Sequence, residues 1–111
     1  DSALFMLELI EKNFPGHELS DNILFQKATI AHERGDYLLA AENYMAVYES
    51  FSNDILADNA LIEAGRIYEK ALQDTEKAMS IYETILTEYP SSLFVVEARK
   101  RFRSLRGDSV Q

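Results

Sequence analysis

Laid over itself with an offset of 37 or 38 residues, the chain matches at position after position. Ala3, Ala40 and Ala78 coincide, as do Ile10, Val47 and Ile85, and Phe14, Phe51 and Tyr89. Pro15, Ser52 and Pro90 fall in the same register, and so do Ile23, Ala60 and Ala98, and Ile30, Ile67 and Leu105. A fixed period of this length marks a stack of similar supersecondary units, each too small to cover its own apolar faces. A helical bundle has no need of such a period. The offset grows from 37 to 38 near Leu72-Gln73-Asp74, which predicts a turn there, because an extra residue in a turn costs little.

Within each period the apolar residues recur at helical spacing. Leu24, Ala28 and Ala31 form one stripe, Gly35-Asp36 breaks it, and Tyr37, Ala40, Tyr44, Val47 and Phe51 begin the next. Leu61, Gly65, Tyr68 and Leu72 follow, then Ala78, Tyr82, Ile85 and Tyr89, and finally Phe94, Ala98, Phe102 and Leu105. The last stripe runs to Gly107, which predicts a left-handed C-terminal cap. The segment 3–14 is dense in apolar residues and stops at Phe14-Pro15-Gly16, a helix terminator. No stretch alternates with period two, so the expectation is all-α with about six helices. Small residues at Ala28, Gly65, Ala40 and Ala78 allow close helix approach, and Tyr44 and Tyr82 fill the volume one turn on.

Charge and motif content narrow the function. Residues 1–98 carry 18 acidic and 6 basic side chains, and residues 99–111 carry 1 and 5, giving −12 and +4. An acidic body repels phosphate backbones, which argues against nucleic-acid binding. No apolar run reaches the roughly 20 residues that cross a bilayer. There are no cysteines, and His17 and His32 have no partner at a recurring metal-ligand spacing. Nineteen carboxylates make accidental pairs such as Asp74 and Glu76 inevitable, and no nucleophile turn or phosphate loop is present. The expectation is a protein without catalytic site, cofactor or metal.

The residues Leu61-x2-Ala64-Gly65-x2-Tyr68, Ala78-x3-Tyr82 and Pro90 resemble the tetratricopeptide-repeat family. A poorer copy stands upstream as Leu24-x2-Lys27-Ala28-x2-Ala31, Ala40-x3-Tyr44 and Ser52, and neither copy has the tryptophan that often opens the motif. The stretch from Lys77-Ala78 through Tyr82 and Ile85-Leu86 to Tyr89-Pro90-Ser91-Ser92 is most similar to the long-period subtype of bacterial cell-envelope proteins, of the outer-membrane assembly lipoprotein and Tol-Pal coordination protein type. The resemblance implies an α-α superhelix, one domain over residues 1–111, divided into a half repeat 1–16, repeats 17–53 and 54–91, and a capping helix 92–107. It implies a bacterial periplasm or envelope setting, with the cytoplasm open.

The family lines a concave groove with the first helix of each pair, and that groove receives peptides or partner helices. Carried over, Asn22, Phe25, Thr29, His32 and Glu33 would line it from one repeat, and Asn59, Ile62, Arg66, Glu69 and Lys70 from the next. These same residues can equally be plain solvated helix surface. Phe25 and Ile62 stand where a carboxylate-gripping branch of the family would want polar groups, so no such clamp is expected.

Two further features bear on partners. Arg99, Arg103 and Arg106 share one face of the last helix, which suits either a polar end cap or a dock for an acidic partner or lipid headgroups. Phe5, Met6 and Leu9 align with Glu42, Asn43 and Ala46, and with Ser80, Ile81 and Thr84. So wide an apolar face predicts either further repeats on the N-terminal side of a larger protein, or homo-oligomers formed through it.

Overall fold

The computed structural model of the protein describes residues 20–107. Within them the chain forms α1 (Ser20–Glu33), α2 (Tyr37–Ser50), α3 (Ala57–Lys70), α4 (Thr75–Glu88) and α5 (Val95–Arg106), with no strand. The helix expected over 3–14, with Phe5, Met6 and Leu9, lies outside the described residues. Each helix packs chiefly on the helices before and after it in sequence. The result is an elongated body of 50 × 28 × 18 Å, as stacking in one dimension requires.

The register matches the sequence period. Ser20 and Ala57 open α1 and α3, and Tyr37 and Thr75 open α2 and α4. The slip therefore sits between α3 and α4, where residues 71–74 replace the shorter connection 34–36. Both turns need a left-handed residue. Gly35 supplies it in the first turn, at φ 83°, whereas the longer turn places Gln73 at φ 53°, a conformation in which a side chain costs about 1 kcal/mol. Asp74 then caps α4 by accepting the Lys77 N–H at 3.1 Å. Gly107 ends α5 at φ 95°, its N–H directed at the Arg103 and Ser104 carbonyls.

The core is one continuous cluster drawn from all five helices, with Tyr44, Tyr82, Leu61, Ile62, Ile81, Ile85 and Val47 as its largest fully buried side chains. Where α3 crosses α4, glycine is a requirement. A Cβ built on Gly65 would lie 2.7 Å from Tyr82 Cε1 and 3.2 Å from Cδ1 and Cζ. Tyr82 is 0 % exposed, and its hydroxyl donates to Glu69 Oε1 at 2.9 Å, so the ring cannot swing aside.

One polar group is buried at the start of α1. Asp21 is 6 % exposed. The neighbouring Asp54 carboxyl first, and then burial, raise its carboxyl above the ordinary 3.8, while Asp54 lies below that value. Asp21 thus meets the α2–α3 connection through Asp54, and its buried Oδ1 has no hydrogen-bond partner among the described residues.

Replacing Gly65 tests the α3–α4 contact. Gly→Ala in a helix normally gains about 1 kcal/mol, yet the overlap with Tyr82 should reverse the sign, and Gly65→Leu should cost about 1–3 kcal/mol or more. Urea denaturation of both variants checks this. A Gly65→Ala protein more stable than the parent would show that α3 and α4 are not in this register.

Candidate functional site

The side of the molecule carrying α1, α3 and α5 holds most of the residues expected to meet a partner. Asn22, His32, Glu33 and Lys70 are exposed, and Asn59 is half-buried. His32 meets Tyr37 edge-on, with ring centroids 5.7 Å apart. Together with Glu63, Arg66, Ile67 and Lys70 this aromatic pair borders a cleft of about 340 Å³ between the α1–α2 turn and α3. Its lining mixes cations, one carboxylate, two aromatic rings and an aliphatic floor.

Several other expected groove residues are committed within the chain. Ile62 is 0 % exposed and belongs to the core, because its position on α3 faces the neighbouring helices; it is not a groove residue. Phe25 is half-buried and packs edge-on against Tyr44 at 5.2 Å. Thr29 Oγ1 donates to the Phe25 carbonyl at 3.1 Å, which leaves its lone pairs to accept from the Tyr44 hydroxyl at 2.9 Å. Burial pushes the Tyr44 phenol up.

Arg66 and Glu69 are tied to α5. The Arg66 guanidinium grips Glu97 with two parallel bonds, Nε to Oε2 at 2.8 Å and Nη2 to Oε1 at 2.5 Å, and sends Nη1 to Glu63 at 2.6 Å. It also lies over the Phe94 ring at 5.9 Å. Arg101 forms the second fork, Nε to Glu69 Oε1 at 3.0 Å and Nη2 to Oε2. Arg66 holds the Glu97 carboxyl below its usual range. For Glu69, burial pushes upward, but the bonds from Arg101 and Tyr82 outweigh it and the carboxyl lies below the ordinary 4.5. The pairs are planar and bidentate, the strong form of a surface ion pair.

Sequence reasoning missed Glu63, Glu97, Arg101 and Tyr37 as members of this face. A signal for the ion pairs existed: α3 offers Arg66 and Glu69 at i, i+3, and α5 offers Glu97 and Arg101, of opposite sign, at i, i+4. Of the five basic residues between 99 and 106, Arg101 reaches α3, while Arg99 and Arg103 stay exposed and Arg106 lies over the Phe102 ring at 5.2 Å.

A wider hollow of about 470 Å³ lies at the other end of the helices, between the α2–α3 and α4–α5 connections. Tyr89 donates to the Ser52 carbonyl across it at 2.6 Å. Its carboxylates are Asp54, Asp58 and Glu88, but among the described residues no three histidine, cysteine or acidic side chains come together as a metal site. No described helix is long and apolar enough to cross a membrane.

Helices of near-equal length stacked at a fixed offset, with a polar cleft along one side, define a helical-repeat protein. Residues 59–92 match the family model of the tetratricopeptide repeat. The matched segment spans nearly all of α3 and all of α4 and holds Gly65, Tyr68, Ala78, Tyr82 and Pro90, so over this helix pair the chain is similar to that repeat. No curated protein matches the chain.

The Glu69 fork carries a pH signature. A carboxyl whose folded value is lowered stabilises the fold fully above about 4.5, and the contribution is lost as pH falls through the folded value. Glu69→Gln should therefore flatten the acid limb of the stability profile. At neutral pH it should cost on the order of 1–2 kcal/mol, the range for a partly exposed charge-assisted bond. Urea midpoints measured from neutral to acid pH check it. An unchanged acid limb would mean that the fork is not formed in solution.

Proposed function

We propose that this is a non-catalytic protein-interaction module, which binds a peptide or a partner helix along the α1–α3–α5 side. The observation that carries the reading is the cleft bordered by His32, Tyr37, Glu63, Arg66 and Lys70. It combines flat aromatic surface, which binds at low entropic cost, with exposed charge that fixes register. The repeat match supports the class. Asn22, Phe25 and Asn59 extend the same side, and Glu63 and Arg66 form its pre-organised wall. By resemblance alone, the reading extends to a larger repeat protein of a bacterial cell envelope.

His32→Ala combined with Lys70→Glu tests the site without touching the Arg66 and Glu69 forks. Surface changes of this kind shift stability by no more than about 0.5 kcal/mol. Affinity for a partner captured from the native source should fall at least tenfold, about 1.4 kcal/mol, and the partner should perturb the amide resonances around His32, Tyr37 and Lys70. Full affinity in the double variant would contradict this assignment. So would an equal loss on changing Glu42 and Ser80 of the even-numbered helices.

A further inference from the structure

We infer that the outer face of α5 is a second docking surface, shaped to take an acidic amphipathic helix of another protein. The residues of α5 divide among three directions. Val95, Ala98, Phe102 and Leu105 turn to the core, and Glu97 and Arg101 turn to α3. Val96, Arg99, Lys100 and Arg103 do neither and are all exposed, and helical spacing gathers them within about 100° of arc. Val96 is 72 % exposed, and Leu93, three residues before it, is 93 % exposed. None of Arg99, Lys100 and Arg103 is ion-paired among the described residues.

The register of this face fixes the shape that fits it. One period earlier, Arg99, Lys100 and Arg103 correspond to Leu61, Ile62 and Gly65 of α3, all three buried. Gly65 is the residue on which Tyr82 of α4 rests. Thus α5 presents cations at the positions where α3 receives a helix. No helix covers this face among the described residues.

Charge fixes the chemistry. Guanidinium forks one turn apart, at Arg99 and Arg103, match carboxylates at i and i+4 on an opposing helix. Leu93 and Val96 give an apolar contact at one end only. Consecutive helices joined by short connections run antiparallel, and a guest lying in the same sense would bring its N-terminal half to Arg103. Acidic residues are favoured in that half of a helix.

A flat anionic bilayer fits worse. It would bring the acidic body, −12 over residues 1–98, to a like-charged surface, with the exposed Glu76, Glu83 and Glu88 of the adjacent α4. A single helix, about 10 Å across, can reach the cations alone.

The test is selection from a displayed library of helices whose outer positions vary among Glu, Lys, Gln, Ala and Leu, using the whole protein as bait. Enriched sequences should carry Glu at i, i+4 spacing with one apolar residue toward the C-terminal end. Their affinity should fall at least about tenfold on Arg99→Glu with Arg103→Glu, and similarly in high salt. Arg99→Gln with Arg103→Gln serves as a second variant should charge reversal disturb folding, and it should lose most of the affinity while keeping the parent's helicity. Phosphatidylserine vesicles should not sediment the protein. Enrichment without acidic bias, or undiminished binding by the Gln variant, would overturn the inference. Vesicle sedimentation that the Gln variant abolishes would also overturn it, assigning the face to lipid.

Discussion

The bare Cα of Gly65 against the Tyr82 ring is the contact on which the rest of the molecule depends. It brings α3 and α4 close enough for Leu61, Ile81 and Ile85 to share one core. It also fixes the direction of the Tyr82 hydroxyl, which meets Glu69 one turn further along α3. Burial first, and then the Glu69 carboxylate, push that phenol far above its ordinary range, so it stays a donor. Glu69, held in place, is what Arg101 grips. One small residue in the core thus sets the geometry of a part-buried ion pair that joins its own helix to α5.

Neighbouring helices are held by apolar packing, and helices two apart by polar links, which differ on the two sides. The odd-numbered helices use ion pairs, Arg66 with Glu97 and Glu69 with Arg101. Their strength depends on salt and acid. On the even-numbered side tyrosines do the joining. Tyr48 of α2 donates to Glu88 of α4 at 2.8 Å, which drives the phenol up to about 12, and its ring meets Tyr89 edge-on at 6.2 Å. The side proposed to bind partners is therefore also the side whose inter-repeat links are ion pairs, which salt weakens.

What the sequence made legible is the part fixed by volume and period. The repeat offset predicts the helices from α1 to α5, the extra residue between α3 and α4, the glycine cap at Gly107, and the close approach at Gly65, because each follows from local sterics. The fate of polar residues is less legible. Whether Arg66 and Glu69 meet a partner or meet α5 depends on how far the next odd-numbered helix lies from α3, and a period does not contain that distance. Ile62 is core rather than groove for a related reason: α3 packs between α2 and α4 with α5 alongside, and its apolar arc is wider than two contact stripes predict. Tyr37 escaped because its role at the cleft comes from the tight 34–36 turn, which sets it beside His32.

The central claim is that stability passes from helix to helix through nearest-neighbour packing, with α3 at the hub and α5 held on one apolar side. Native-state amide hydrogen exchange, resolved by residue, reads this directly. Amides of α3 from Leu61 to Tyr68 should exchange slowest, those of α4 around Ile81 to Ile85 next, and those of α5 markedly faster. Protection in α5 equal to or greater than that in α3 would contradict the account, since it would require the chain to be organised around a different core.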